Sequence, residues 1–167
     1  MIHSIQDFEQ SWSVESASTQ KILDALTDAS LAQEVSPQDR TLGRIAWHIV
    51  TSVHGMASHA GLAFEAPDEG TAVPASAQVI ADSYRKASSA FLEAVKTQWT
   101  DASLREMRNM FGEQWPNGLT LSIILSHQTH HRGQMTVLMR QAGLAVPGVY
   151  GPSREEWALM NMEAPVV

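Results

Sequence analysis

Three of the chain's seven histidines, His127, His130 and His131, sit in the run His127-Gln128-Thr129-His130-His131-Arg132-Gly133-Gln134. Neutral imidazole is a common ligand for divalent first-row metals, and two imidazoles four residues apart on a helix reach one ion. His127 and His131 have that spacing. Several familiar histidine chemistries fail on neighbouring residues. A metallopeptidase needs glutamate directly after the first histidine as general base, and the chain has Gln128, which cannot accept a proton. Di-iron bundles need Glu-x-x-His, and no histidine here has glutamate three positions before it. With no cysteine there is no thiolate ligand, disulfide or cysteine nucleophile, and no Cys-x-x-Cys-His haem attachment.

Helical geometry sorts the histidines by face. At about 100° per residue, with Ile124 at zero, Leu121, Met135, Leu138 and Met139 define an apolar stripe. His131 falls inside it at about −20°, His127 at its edge at about −60°, and His130 on the flank at about −120°. On an earlier helix with Ile45 at zero, His48 lies at about −60° and His59 at about −40°, both inward, while His54 lies at about 180° and faces water. His48 and His59 are about 16 Å apart along the axis and cannot share an ion. Either completes a site with His127 and His131, and periodicity does not choose. The alternative for each is a hydrogen-bonded core histidine without metal.

Four long segments of helical periodicity must position these residues. The first runs from about Ile5 to Leu26 behind Ser4 as N-cap, and the second from about Thr41 to Gly61 after the turn Ser36-Pro37-Gln38-Asp39. Glu65 to Pro74, with two prolines, a glycine and three acids, reads as a solvated crossover. The third spans roughly Ser76 to Trp99, and the fourth begins near Asn117 to Thr120 and ends at Gln141-Ala142-Gly143. Thr100 to Gly118 reads either as a short helix around Leu104 to Met110 or as extended chain. Ser153-Arg154-Glu155-Glu156 is a capping box expected to open a short last helix ending near Met162. The expected fold is all-α, a four-helix bundle with a short C-terminal helix, in a single domain over residues 1–167.

Composition narrows the partners. Of the 167 residues 44% are apolar and 17% charged, with a formal net charge of −7. That describes a folded acidic domain, without the clustered lysine and arginine that nucleic acid requires. Met1 to Ser11 lacks the basic-then-apolar pattern of a secretory signal, and no segment approaches a membrane span. The expectation is a cytoplasmic protein with neither nucleic-acid nor membrane partner.

Thr41-Leu42-Gly43-Arg44-Ile45-Ala46-Trp47-His48-Ile49 on the second helix and His127 to Met135 on the fourth resemble the DinB-like (DinB/YfiT) superfamily of small bacterial four-helix-bundle proteins. The resemblance covers most of the chain. It implies that the first-motif histidine and the outer histidines of the second motif bind a divalent metal, which in this chain are His48, His127 and His131, and so it selects His48 over His59. It also implies an up-down-down-up bundle, with the long crossover between the second and third helices, and a homodimer.

Three imidazoles leave a coordination position open for water or substrate, with zinc the first candidate and nickel the second. Some members of the superfamily are similar to thiol-dependent transferases or isomerases. The resulting expectation is that a metal-bound low-molecular-weight thiol is presented as thiolate to an electrophilic small molecule. The alternatives are a non-catalytic, stress-related metal-binding module and a metal-hydroxide hydrolase, which would need a proton acceptor the sequence does not identify. Among the neighbours, Gln134 is expected to orient a ligand or substrate, or simply to bond along the helix flank. Arg132 is expected to point away from the core into an ion pair, and Gly133 to permit close helix packing. Trp47 and Trp115 are expected either to border the pocket or to lie in the core or an interface.

Overall fold

The computed structural model describes residues 1–166. The chain is mostly helical: α1 (Ile5–Asp24), α2 (Leu42–His59), α3 (Ala77–Gln98) and α4 (Asn117–Gln141), with a two-stranded antiparallel ribbon, β1 (Met107–Met110) and β2 (Glu113–Pro116). The starts of α1 to α3 follow from capping. Ser4, Thr41 and Ser76 each accept a hydrogen bond on the side-chain oxygen from the backbone N–H three residues on. Gly61 and Gly143, just past α2 and α4, have positive φ, as left-handed C-terminal positions require.

The directions of the helices can be followed contact by contact. Lys96 pairs with Glu9, Trp12 donates to the Ser88 carbonyl and Gln20 to the Ala81 carbonyl, so α1 and α3 run antiparallel. Ile2 bonds to Gly118 and Ser122 while Glu15 bonds to Arg132, so α1 and α4 run the same way. α2 packs between α3 and α4, opposite the face of α1. Two apolar clusters divide the interior. One is built around Ile22, Leu42, Ile80, Tyr84 and Leu138 and includes Ile45, Ile49 and Met135, which share α2 and α4 with His48 and His131. The other is built on the mutually packed rings of Phe8, Trp12 and Phe91, with Trp12 and Phe91 centroids 4.9 Å apart.

The structure departs from the all-α expectation between α3 and α4. A single 3-10 turn, Ser103–Arg105, is followed by the ribbon, which is the extended-chain alternative for Thr100 to Gly118 rather than the short helix, with a strand pairing that was not expected. Its strands join through Phe111 and Gly112, both at positive φ (56° and 93°), the backbone of a tight two-residue hairpin. The strands show almost no alternation of burial, so no period-2 pattern marked them. The last helix also fails to form as expected. Glu156 accepts from the backbone N–H groups of Gly148 and Ser153, but the Ser153 hydroxyl caps nothing, and only a 3-10 turn, Ala158–Met160, follows. The crossover is less solvated than its composition implies. Phe64 and Ala66 pack on the core, and the Thr71 carbonyl accepts from Trp47 Nε1 at 2.9 Å.

Candidate metal centre

α2 and α4 cross with their inward faces opposed, and His48 meets His127 and His131 there. The His48 and His127 Nε2 atoms are 3.3 Å apart, and one ligand nitrogen from each of the three rings lies within 4.8 Å of the others. The ring centroids are 4.5 to 5.0 Å apart, each pair edge-on. His131 is buried and the other two are half-buried. Among the described residues this is the one group of three or more potential ligands brought together, and it contains no carboxylate.

Hydrogen bonds fix how the rings face. His131 Nδ1 is 2.7 Å from Gln134 Oε1, an acceptor, so Nδ1 carries the proton and Nε2 keeps its lone pair. His127 Nδ1 is 3.4 Å from Ser52 Oγ, whose own proton goes to the Ile49 carbonyl, and the same tautomer follows. Gln134 is itself held by His130, whose Nε2 lies 3.2 Å from the amide nitrogen. The flank position predicted for His130 therefore holds, and it steadies a neighbour of the triad.

The site keeps its imidazoles neutral. Burial pushes His48 down to about 4, with the neighbouring His127 and His131 and the charges of Arg40 and Arg44 adding to it. Burial likewise takes His127 to about 4, aided by His131, His130 and Arg40. His131 is lowered chiefly by burial, against the opposing hydrogen bond to Gln134. Neutral imidazole is the form that ligates metal. Zinc to nitrogen bonds of about 2.0–2.1 Å in a tetrahedron put ligand atoms about 3.3–3.4 Å apart, the separation seen between His48 and His127. The donor set and its spacing fit a divalent ion.

Two other histidines of α2 differ in burial from their positions on the helical wheel. His59, expected inward, is exposed. It is the last residue of α2, bonds through Nδ1 to the Gly55 carbonyl at 2.8 Å, and lies against Phe111 of the hairpin. His54, expected in water, is half-buried because the crossover lays Phe64 across that face, ring centroids 5.3 Å apart. Neither joins the triad. Trp47 is a core residue, and Trp115 sits on β2 with Nε1 donating to Glu113, so neither lines the cavity beside His131. A side chain at Gly133 would meet nothing within 4 Å, so it provides no close approach. Gly118 does, with the Ile2 carbonyl where its Cβ would be.

Arg132 does not point away from the core. It is 2% exposed, pairs with Glu15 at 2.8 Å, and also donates to Thr19 and the Tyr150 hydroxyl. Burial pushes Glu15 up, but hydrogen bonds from Tyr150 and Arg132 and the Arg132 charge outweigh it and hold the carboxyl below its usual range. Behind this pair Gln128 is buried, its Oε1 accepting from Tyr84 at 2.7 Å and from Thr19. The periodicity contained this signal. Leu121 and Met139 bound the apolar stripe of α4 at about +60°, and on that scale Gln128 falls at about +40° and Arg132 at about +80°, within or beside it.

Comparison with known proteins follows the same lines. The model of the DinB family matches residues 1–165. A Bacillus subtilis (strain 168) protein described as uncharacterized protein YrdA is 56% identical over 165 residues, 99% of each chain. The crystal structure of a DinB-like protein from Bacillus cereus ATCC 10987 superposes with a TM-score of 0.87 at 54% identity, covering 90% of this chain and 100% of that one. The DinB-like protein YjoA from Bacillus subtilis, at 15% identity and a TM-score of 0.67, covers 86% of this chain and 97% of that one, and it shares the fold.

Proposed function

The chain belongs to the DinB family, and from that premise we propose that His48, His127 and His131 hold a divalent metal, zinc first and nickel second, for thiol-dependent transfer or isomerisation of a small molecule. The observation that carries the metal reading is the convergence of three neutral imidazoles, two of them with Nε2 atoms at 3.3 Å, across two helices with no carboxylate among them. Bound there, a divalent ion supplies Lewis acidity that lowers the pKa of a thiol at the open position.

The chain's own residues prepare that position. Gln134 and Ser52 hold the His131 and His127 rings with Nε2 inward, and burial keeps them unprotonated at neutral pH. The thiol reading is favoured over metal-hydroxide hydrolysis because no carboxylate stands in the cluster to take a proton, and a thiol, far more acidic than water, loses its proton to solvent near neutral pH with less help. The helix directions support an up-down-down-up bundle, which we include in the proposal together with the homodimer. A scattering mass equal to a single chain would count against the homodimer.

Elemental analysis of protein purified without an affinity tag tests the centre. About one divalent ion per chain is expected, with loss of most of it in His48→Ala and His131→Ala. No stoichiometric metal, or unchanged content in both variants, overturns the metal reading. With metal present, a panel of low-molecular-weight thiols against a chromogenic electrophile tests the transfer. No metal-dependent rate above background refutes it and leaves a binding module.

A further inference from the structure

A cavity of about 640 Å³ adjoins the triad, sharing His131 and Gln134 as one wall. That volume is within the usual range for small-molecule sites, about 300–1,000 Å³. Val35, Ile45, Val137 and Leu138 make its apolar surface, and Gln38, Asp39 and Arg40 its polar rim. Val35 and Val137 are 67% and 56% exposed, large apolar side chains turned to this space rather than into the core.

Arg40 is the basic side chain of that rim. Five of the eight arginines, Arg85, Arg108, Arg132, Arg140 and Arg154, form ion pairs; among the described residues Arg40, Arg44 and Arg105 form none, and no side-chain hydrogen bond either, and of these three it is Arg40 that lines the cavity. The acid beside it, Asp39, instead accepts from the Ser36 hydroxyl at 2.7 Å. The chain has 18 acidic against 11 basic residues, so an unpaired guanidinium has no shortage of possible partners on the surface. Its charge also bears on all three imidazoles of the triad. Arg40 directly precedes Thr41, the N-cap of α2, whose first turn carries no acid to neutralise it.

We propose that this cavity binds a small organic anion, a carboxylate with an apolar body, its head group on the Arg40 guanidinium and its body along Val35, Ile45, Val137 and Leu138. A guanidinium offers parallel N–H donors that match a carboxylate, and the apolar wall gives the rest of the molecule a place out of water. As an assignment of substrate class this rests on the thiol-transfer reading: one of the two reactants carries the carboxylate and is held with His131 at its side. The binding itself does not depend on the metal.

The probes are 4-phenylbutyrate and 4-phenylbutanol, which share an apolar body and differ in charge. Their affinities are measured by calorimetry for the protein as purified and after chelator treatment, in wild type, Arg40→Gln and Arg44→Gln. Expected is a preference for the carboxylate of about tenfold or more, as one charge-assisted contact gives. Arg40→Gln abolishes that preference while leaving the alcohol unchanged, and Arg44→Gln retains it. Failure to bind either probe, no preference, a preference that survives Arg40→Gln, or an equal loss in Arg44→Gln overturns the proposal. A failed metal reading shows differently, as absent metal with the Arg40-dependent preference intact.

Discussion

Replacing Gln134 with leucine removes the acceptor for His131 Nδ1–H while touching no ligand atom. The side chain is exposed and its bonds are to His130 and His131, so the metal-free protein should lose about 0.5 kcal/mol or less, as for most surface substitutions. The metal-bound protein should lose more. Without Gln134 nothing fixes the His131 proton on Nδ1, and the ring divides between a tautomer that presents Nε2 and one that does not. Loss of such an outer partner typically weakens metal affinity about 10–100-fold, or about 1.4–2.7 kcal/mol. Metal-linked stability falls by the same amount at fixed free metal, and for a chain of this size the melting temperature of the loaded protein should drop by about 3–11 °C. Competition with a chromogenic chelator gives the affinity, and melting curves with and without metal separate the two effects. Gln134→Glu keeps an acceptor and adds a negative charge, so it should bind metal at least as tightly as wild type. An affinity of Gln134→Leu within twofold of wild type, or an equal fall in melting temperature with and without metal, would refute this reasoning.

Arg132→Met removes the cation paired with a largely buried carboxylate, 17% exposed at Glu15, and one hydrogen bond each to Thr19 and Tyr150; a cost of about 3 kcal/mol, or about 6–12 °C in melting temperature, is expected by calorimetry, with part of it recovered in Glu15→Gln/Arg132→Met. Metal content should be unchanged in that variant, which separates its role from that of the triad. The pH dependence follows from the lowered histidines: between the unfolded value of 6.5 and about 4 the unfolded chain binds more protons than the folded one, so stability of the metal-free protein is full above 6.5 and falls through that window. A melting temperature that is flat or rises as pH drops from 6.5 to 4 contradicts the burial of these rings. Gly118→Ala places a methyl group against the Ile2 carbonyl, and denaturant unfolding should register a loss of about 1–3 kcal/mol.

The long helices could be read because their signals are local. Ser4, Thr41 and Ser76 announce the starts of α1 to α3, Gly61 and Gly143 the stops, and a 3.6-residue period of apolar side chains fills the interval. The same period puts His48, His127 and His131 on inward faces together with His59, and the family resemblance selected His48 from the two. The ribbon was not. Its residues are mostly exposed, and its register depends on two positive-φ residues at Phe111 and Gly112, the first of which is not a type that advertises such a turn. The last helix was overread for the complementary reason. Ser153 and Glu156 have the capping spacing, but the Glu156 carboxylate is shared with Gly148, a partner that exists only once the tail folds back.

What the sequence alone determined is which side chains can take part: inward-facing imidazoles at His48, His59, His127 and His131, no thiol, and no Glu-x-x-His pair. Only tertiary structure decided which of them meet. The angle of His59 on α2 is as favourable as that of His48, yet α2 ends at His59 in solvent beside the hairpin, while His48 lies where α4 crosses. The crossover, by covering His54, likewise settled burial against the helical wheel, while Glu15 of α1 supplied the partner for Arg132 at the edge of the apolar stripe. A periodic pattern gives the direction of a side chain from its own axis; the neighbour that covers it comes from another part of the chain, at a position that only the packing of the helices determines.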